Sequence, residues 1–473
     1  MVFNSFSYLL FFVGVVSLYY LTPYRWRWVV ILVGSYFFYM SWSPAYGLLL
    51  FGTTLLDWLL GLQIAKEKVG SFERKAYLTV GIVLNLGVLF FYKYFDFLSQ
   101  SIWSLFGVES VPLTLGLLLP IGISFYTFQS IAYMVDVYRN DLPSEKSFFR
   151  YATFVSFFPH LVSGPILRPA NILPQVHEKK EWNSDNFKMG LFLIAMGLIK
   201  KIVIADRLGS FVNQVYLQPE SFSGATLLVA TYFFAFEIYC DFSGYTDIAI
   251  GSALILGYTI PENFRQPYFS LSITEFWRRW HISLSSWLRE YLYIPLGGNR
   301  KGRWHTYFNL LITMLLGGLW HGAAWTFVIW GLIHGLYLAV ERFFSEFCSK
   351  QDEPSRFPIV TTLSKAFFTF NLVAFSWIFF RATSIADAIY IVKSIFTNFG
   401  TLVNGVLPLT SIVFYFVMIA LLLSFEYLQI QKNIVQKILG TPWYIRWAFV
   451  YAVIFVLIFF GAETSIQFIY FQF

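Results

Sequence analysis

Apolar runs of about 20 residues recur along almost the whole chain, and this pattern constrains the fold more than any other feature. A helix needs about 20 apolar residues to cross the hydrocarbon core of a bilayer. Of the 473 residues, 57% are hydrophobic and 12% are charged, whereas soluble domains carry about 25% charged residues. The sequence therefore predicts an all-α, polytopic transmembrane protein.

The apolar runs predict about 11–12 membrane helices, including re-entrant or interfacial segments. They lie at 4–22, 28–43, 46–64, 77–98, 113–136, 187–206, 223–256, 306–322, 324–343, 366–381, 409–428 and 445–462. We expect one membrane domain over 1–473. Its parts would be N-terminal helices at 1–140, a core that carries the functional residues at 141–345, and C-terminal helices at 346–473.

The charge and the cysteine content exclude several other classes of protein. The net charge is +7, but the Lys and Arg residues are scattered over short loops, which is typical of the cytoplasmic side of a membrane protein. There is no basic tract or aromatic–basic module of the RNA-binding kind, so we expect no nucleic-acid partner. Cys240 and Cys348 have no metal-ligand spacing and do not indicate a disulfide framework.

Two segments differ from simple membrane spans. Residues 149–172 contain several prolines and glycines, and broken backbone at membrane depth is tolerated only where protein or water surrounds it. We expect this segment to be re-entrant. Residues 261–304 are apolar but carry many charged side chains. This composition predicts an amphipathic helix that lies in the interface, or one that packs inside the protein near a polar cavity.

His321 lies between two apolar runs, in the sequence Gly317-Gly318-Leu319-Trp320-His321-Gly322. Ionisable residues at membrane depth are costly and are therefore candidates for function. A neutral imidazole accepts a proton near pH 7, as a general base must, and the glycines allow a backbone or a ligand to approach closely. A histidine hydrogen-bonded between helices, or a glycine-rich packing seam, explains the same pattern equally well.

His281 follows Trp277-Arg278-Arg279-Trp280 in the charged segment. On a continuous helix, Arg278 and Ser285 would share a face with His281. The planar guanidinium suits phosphate or carboxylate groups, so one interpretation is a site that binds an anion. The other is a solvated basic face on an interfacial helix.

Three acidic residues, Glu237, Asp241 and Asp247, lie at or within the apolar run 223–256. They are compatible with a path for protons or cations. They are also compatible with structural ion pairs to the arginines of 261–304, and we favour this structural interpretation.

The other histidines give weaker signals. His177 and His305 are expected in loops, and His160 in the proline-rich segment is a candidate to line a cavity. His334 comes 13 residues after His321, which places it on a different face of any continuous helix. The sequence contains no pattern typical of a metal site, no Gly-x-Ser-x-Gly elbow and no Walker loop.

Four passages resemble the membrane-bound O-acyltransferase (MBOAT) family, and within it the branch that O-acetylates alginate and other bacterial surface polysaccharides. They are Asp241-Phe242-Ser243-Gly244-Tyr245-Thr246-Asp247, Asn263-Phe264-Arg265-Gln266-Pro267-Tyr268 running on to Trp277-Arg278-Arg279-Trp280-His281, Tyr291-Leu292-Tyr293-Ile294-Pro295-Leu296-Gly297-Gly298-Asn299, and Gly318-Leu319-Trp320-His321-Gly322-Ala323-Ala324-Trp325. Shorter passages at 120–126, 370–382 and 468–473 extend the resemblance over essentially the whole chain.

The resemblance implies a multi-helix fold with a tunnel or funnel into the membrane. It assigns the catalytic histidine to His321 and the second active-site histidine to His281. It implies acetyl-CoA as the cytoplasmic acyl donor, with no permanently bound cofactor and no metal. The residues that we expect to contact the donor or the substrate are Arg278, Arg279, Trp320, Asp241 and Asn263.

Since no serine or cysteine nucleophile motif is present, we favour direct transfer with His321 as the base. His281 would orient the acyl group or stabilise the oxyanion. The resemblance also implies a bacterial inner-membrane location, an exopolysaccharide acceptor such as alginate, and an extracytoplasmic, hydrolase-like acetyltransferase as partner.

Three other functions stay open at this point. Another branch of the same family transfers D-alanine from a carrier protein to teichoic acid, and further members acylate lipids. A transporter or channel would explain the acidic residues in the apolar run 223–256, but it leaves the two aromatic-flanked histidines without a role.

Overall fold

The computed structural model describes residues 1–107, 113–162, 164–347, 358–402, 408–432, 434–462 and 466–469. All regular secondary structure in these residues is helical. Seven of the described helices are long and apolar enough to cross a membrane, and Phe6–Leu21 is a shorter apolar helix. The prediction of an all-α, polytopic membrane protein is therefore confirmed.

The chain divides into two compact units. The first comprises Met1–Ile194 and Thr246–Pro261, and the second comprises Ala195–Tyr245 and Glu262–Phe473. The single membrane domain expected from the sequence stays a prediction, since two compact units can belong to one domain.

Ten α-helices of the described residues begin in the first unit. They are α1 (Phe6–Leu21), α2 (Arg27–Met40), α3 (Pro44–Lys66), α4 (Phe72–Leu89), α5 (Phe95–Leu105), α6 (Ile123–Arg139), α7 (Phe148–Ser156), α8 (Phe158–Leu161), α9 (Pro169–His177) and α10 (Ser184–Leu198). The last of these ends in the second unit.

The other helices begin in the second unit. They are α11 (Asp206–Leu217), α12 (Gly224–Ile255), α13 (Ile273–Arg279), α14 (Ile282–Leu288), α15 (Arg303–His321), α16 (Trp325–Phe347), α17 (Pro358–Arg381), α18 (Ile385–Thr397), α19 (Leu409–Lys432), α20 (Ile434–Leu439) and α21 (Trp443–Phe460). The C-terminal part of α12 belongs to the first unit.

Among the described residues, the seven helices that are long and apolar enough to cross a membrane are fewer than the 11–12 predicted segments, because several apolar runs form short, interrupted or charged helices. The run 28–43 gives only the 14 residues of α2. The run 113–136 becomes helical only at Ile123. The run 187–206 carries Lys188, Lys200, Lys201 and Asp206, too many charges for a membrane span, and it passes through a π-helical turn over Ile199–Ala205. Hydropathy alone does not reveal such interruptions.

The proline-rich segment 149–172 is broken and buried, as predicted. Helices α7 and α8 are separated at Phe157, and Pro159 lies in the first turn of α8, where proline costs no backbone hydrogen bond. The side chains of Tyr151, Phe157 and Leu161 have almost no exposed surface. Protein therefore surrounds the broken backbone, while the re-entrant location stays a prediction.

Much of 261–288 in the charged segment packs inside the protein, which was one of its two expected placements, whereas most of 294–304 is exposed. It forms α13, α14 and a π-helical turn over Arg289–Tyr293. Trp280 and His281 separate the two helices, and both side chains are fully buried. The continuous helix through His281, with Arg278 and Ser285 on one face, is therefore wrong.

Helices α15 and α16 form a hairpin whose backbones touch. A Cβ atom at Gly318 would collide with the carbonyl oxygen of Phe327, and one at Gly331 would collide with that of Met314. Small residues allow this close approach of two helices. The hairpin fixes the end of α15, where His321 lies, against the first turns of α16.

Candidate active site

His321 is the last residue of α15, and its side chain is buried. The next residue, Gly322, is extended, and a Cβ atom there would collide with the ring of Phe327. The glycines of this passage therefore serve helix packing, as the alternative interpretation of the motif proposed. The same packing holds the imidazole at a helix end, where it is surrounded by other side chains.

His281 has a left-handed backbone conformation, with φ 43° and ψ 54°. For a residue other than glycine this conformation costs about 1–3 kcal/mol, and such residues cluster at functional sites. Hydrogen bonds hold the backbone on both sides of it. Arg265 N donates to Arg279 O at 2.9 Å, and Ile282 N donates to Asn263 O at 2.9 Å.

The side chain of Asn263 determines which nitrogen of His281 carries the proton. Asn263 Oδ1 accepts from Ser283 N at 3.2 Å and from Ser283 Oγ at 2.8 Å. It lies 3.2 Å from His281 Nδ1. An amide oxygen can only accept, so Nδ1–H must donate to it. Since burial lowers the pKa of His281 to about 3, the ring is neutral at pH 7, and its Nε2 is a hydrogen-bond acceptor.

The structure brings the two predicted histidines together. The ring centroids of His281 and His321 are 6.3 Å apart. The ring of Trp320 lies 6.1 Å from that of His281 and 5.1 Å from that of His321. Trp320 thus lies beside both imidazoles, and Asn263 contacts one of them.

Aromatic side chains enclose the histidine pair. Phe242 of α12 packs edge-on against His281 with ring centroids 4.7 Å apart. Trp330 of α16 packs in the same manner against His321, at 5.0 Å. The indole N–H of Trp330 is buried and has no acceptor among the described residues. Sequence reasoning missed this hydrogen-bond donor next to His321.

Arg278 and Arg279 line a separate polar cavity of about 580 Å³. Its lining comprises Arg265, Ser272, Thr274, Glu275, Arg278, Arg279 and Glu341. Arg279 pairs with Glu275 at 2.6 Å. Arg278 is exposed and makes no hydrogen bond or ion pair with any described residue, so its guanidinium is available to an anion.

Asp241 belongs to a buried ion cluster. Its Oδ1 lies 2.7 Å from Lys201 Nζ, which also lies 2.7 Å from Asp206 Oδ1. Its Oδ2 accepts from Ile469 N at 2.8 Å. The structural interpretation of Asp241 therefore holds, but its partner is Lys201 and not an arginine of 261–304. Both carboxylate oxygens are engaged, so the structure gives no support to the expected contact with the donor or substrate.

Lys201 and Asp206 are structural residues that the sequence reasoning missed. Lys201 also donates to Ile466 O at 2.9 Å. The sequence did contain a signal for Lys201, because a lysine within the apolar run 187–206 is costly unless it has a partner. Of the other acidic residues, Glu237 is buried and lies next to Gly209, whereas Asp247 lies in the part of α12 that belongs to the first unit.

The remaining histidines differ in part from expectation. His177 ends α9 and contacts Glu145 at 2.6 Å, and the exposed His305 lies in the first turn of α15, so neither is in a loop. His160 is buried in the first unit, 2.5 Å from Gln129 Nε2. His334 is buried in the second unit, and its predicted separation from His321 assumed one helix where the structure has two.

Comparisons with known proteins identify the family of the chain. The model of the membrane-bound O-acyltransferase (MBOAT) family matches residues 70–385. This range includes both His281 and His321. The probable alginate O-acetylase AlgI of Pseudomonas putida is 44% identical over 404 residues, which cover 85% of this chain and 81% of the relative.

Two further relatives have other acceptors in their names. The peptidoglycan O-acetyltransferase of Helicobacter pylori is 38% identical over 395 residues, or 77% of this chain and 72% of the relative. The teichoic acid D-alanyltransferase of Bacillus subtilis is 28% identical over 275 residues, or 55% of this chain and 68% of the relative. The match to the family profile, together with these relatives, shows that the chain is an acyltransferase that belongs to the membrane-bound O-acyltransferase family.

Proposed function

We propose that this enzyme moves an acetyl group from acetyl-CoA for the O-acetylation of an exported cell-surface polysaccharide such as alginate. The pair of buried imidazoles 6.3 Å apart carries the proposal, because it supplies a base at a site from which water is excluded. The alginate and peptidoglycan O-acetylating relatives support acetyl as the transferred group and a polysaccharide as the acceptor.

His321 acts as the general base in this mechanism. It removes the proton of the acceptor hydroxyl while that oxygen forms a bond with the carbonyl carbon of the thioester. The carbonyl oxygen takes up the negative charge, and we assign the indole N–H of Trp330 as the donor that stabilises it. The C–S bond then breaks, and the leaving thiolate takes the proton from His321.

His281 orients the acceptor in this scheme. Of its two expected roles, stabilising the oxyanion needs a donor, whereas Nε2 is an acceptor when Nδ1–H donates to Asn263. Nε2 is therefore suited to accept a hydrogen bond from a neighbouring hydroxyl of the acceptor, because the single proton of the attacking hydroxyl goes to His321.

Replacing Asn263 with alanine tests this role of His281. Loss of the Asn263 carbonyl frees the imidazole to rotate and to change its protonated nitrogen. By analogy with metal-binding histidines, where removal of the outer partner costs about 10–100-fold, we expect kcat to fall by about 10–100-fold. Ser283→Ala is the matched control, because it keeps the bond from His281 Nδ1 to Asn263 and should change kcat little. Equal kcat values for wild type and Asn263→Ala, in membranes with equal protein, would contradict the role.

The arginine-lined cavity is the proposed site for the donor phosphates. Arg278 has no competing carboxylate partner among the described residues, whereas Arg279 is paired with Glu275. We expect Arg278→Ala to raise the KM for acetyl-CoA by about tenfold, the equivalent of 1.4 kcal/mol, with kcat nearly unchanged.

Arg265→Ala is the control for this prediction, since Arg265 lines the same cavity but pairs with Glu262 at 2.7 Å. Its effect on the donor KM should be smaller. Initial rates at varied acetyl-CoA concentration measure both variants. A KM for Arg278→Ala that equals the wild-type value would contradict binding of the donor phosphates by Arg278 in this cavity.

We further propose that the protein lies in a bacterial inner membrane and passes the acetyl group to the polysaccharide directly or through an extracytoplasmic, hydrolase-like acetyltransferase. The seven spanning helices support a multi-pass location. Lys66 at the end of α3 and Lys68 in the short loop before α4 favour a cytoplasmic position for that loop.

The experiment that tests the proposed function uses the purified full chain in liposomes, with acetyl-CoA labelled in the acetyl group. An oligosaccharide of the acceptor class is added, with and without a partner acetyltransferase. We expect ester-linked label in the oligosaccharide together with release of coenzyme A. No release of coenzyme A under any of these conditions, combined with transfer from a D-alanyl carrier protein, would replace the proposal with D-alanyl transfer.

A further inference from the structure

His334 is the centre of a buried hydrogen-bonded group that joins three helices. It lies on α16 with a side chain 0% exposed. Its Nδ1 lies 3.2 Å from Trp277 Nε1 of α13, and its Nε2 lies 2.8 Å from Ser376 Oγ of α17. All three residues belong to the second unit, which also holds His281 and His321.

The chemistry of these groups allows one arrangement of protons for a neutral imidazole. An indole N–H can only donate, so His334 Nδ1 accepts from Trp277. Nε2 then carries the ring proton and donates to Ser376 Oγ. Ser376 donates in turn to Val373 O at 2.7 Å. The direction of every hydrogen bond is thus fixed, and both nitrogens of His334 are used.

The helix that His334 holds carries other parts of the site. Arg278 and Arg279 are the last two residues of α13, and His281 follows after one intervening residue. Helix α16 contacts α13 at a second point, where Thr274 N donates to Glu341 Oε2 at 3.1 Å. Two hydrogen bonds, both donated by α13 and accepted by α16, therefore join the two helices.

His334 also contacts the surroundings of His321. The ring of Trp330, one turn earlier on α16, lies 4.9 Å from that of His334 and 5.0 Å from that of His321. The side chain of His334 therefore contacts both α13, the helix that precedes His281, and the indole of Trp330, which packs on His321.

We propose that His334 is a positioning residue for acyl transfer. It holds α13, and with it the arginine-lined cavity and His281, at a fixed position relative to His321. The inference rests on the proposed function for its kinetic readout. His334 touches no reacting atom in this account, and its contribution comes from two directed hydrogen bonds within the protein core.

Two substitutions separate these hydrogen bonds from simple packing. His334→Phe keeps a ring against Trp330 but removes the acceptor for Trp277. His334→Gln supplies a carbonyl acceptor and an N–H donor. We expect Phe to lower kcat/KM for acetyl-CoA at least about tenfold, with the donor KM raised and kcat lowered, and Gln to stay within about threefold of wild type. If Gln were no better than Phe, or if Phe kept the wild-type kcat and KM, the proposal would be overturned.

A double-mutant cycle tests whether His334 acts through Trp277. Trp277→Phe removes the donor from the same bond, so the pair Trp277→Phe/His334→Phe should cost little more than His334→Phe alone. Effects on kcat/KM that simply add would show that the two side chains act independently and would contradict the proposal.

A third readout does not need the enzyme to be active. Thr274→Cys and Glu341→Cys place one thiol on α13 and one on α16, and the rate at which a short bifunctional thiol reagent joins them reports how closely the helices are held. Glu341→Cys also removes the hydrogen bond from Thr274 N, so the hydrogen bond from Trp277 to His334 is tested without it. We expect His334→Phe to slow this cross-linking in folded protein, and His334→Gln to leave it near the unsubstituted rate. Equal rates for all three would overturn the proposal.

The two readouts also separate this inference from the proposed function. If the wild type transferred no acetyl group but cross-linking depended on His334, the proposed function would fail and the positioning role would stand. If His334→Phe did not yield folded protein, Trp277→Phe and His334→Gln would decide the matter by the same two measurements.

Discussion

Replacing His321 with alanine is expected to lower the rate of acetyl transfer by about 10²–10⁴-fold, the usual contribution of a positioned general base. The imidazole lies at the end of α15, 6.3 Å from that of His281, and both are buried among aromatic rings. A water molecule is a poor substitute for the base in such a site. The effect should fall on kcat, since the side chain is not assigned to the binding of either substrate.

The matched control is His305→Ala on the same helix. His305 lies in the first turn of α15 and is exposed, so its removal should leave the rate unchanged. Both variants are compared in membranes that contain equal amounts of the protein. A His321→Ala enzyme with more than about a tenth of the wild-type kcat would exclude His321 as the general base.

Replacing Lys201 with methionine is expected to have the largest effect on stability. Lys201 Nζ lies 2.7 Å from both Asp206 and Asp241, and all three side chains are buried. Removing one partner of a buried ion pair costs about 3–5 kcal/mol, because the remaining charge is left without compensation. Here two carboxylates would remain. The loss of folded protein in thermal scans by size-exclusion chromatography measures the change.

Two further variants show whether charge is the cause. The triple variant Lys201→Met/Asp206→Asn/Asp241→Asn has no charge in the cluster and should recover most of the lost stability. Lys188→Met breaks the exposed pair with Asp185 and should leave the stability almost unchanged. If the triple variant were as unstable as Lys201→Met alone, packing and not charge would explain the loss.

The sequence was sufficient to identify the class of fold, and it pointed to the two histidines that the structure brings together. Long apolar runs predict membrane helices because the bilayer requires them, and a histidine between two such runs is costly enough to suggest function. The glycines around His321 were also noticed correctly. Their partner is the backbone of α16, as the interpretation as a packing seam proposed.

The geometry of His281 was not predictable from local spacing. Residues 276–288 have the composition of one amphipathic helix, yet the backbone turns left-handed at His281. This conformation is held by hydrogen bonds to 263–265, which are more than ten residues away in the sequence. A strained residue that tertiary contacts stabilise has no signal in the pattern of nearby residues.

The partners of buried polar residues were also not predictable from the sequence. Lys201 and Asp241 are 40 residues apart, and Trp277 and His334 are 57 residues apart. The sequence indicates that a buried charge or imidazole needs a partner, but not which one. For that reason Asp241 was assigned to the wrong partner, and the hydrogen-bond partners of His334 were not predicted.

The most direct test of the central claim is the ester-linked acetate content of the host's surface polysaccharide. It is measured in a deletion strain that expresses no copy, the wild-type chain, or His321→Ala at equal membrane levels. We predict that the wild type restores acetate and that His321→Ala leaves it at the level of the deletion strain. Full acetylation in the deletion strain, or with His321→Ala, would contradict the assignment of this protein to polysaccharide O-acetylation through His321.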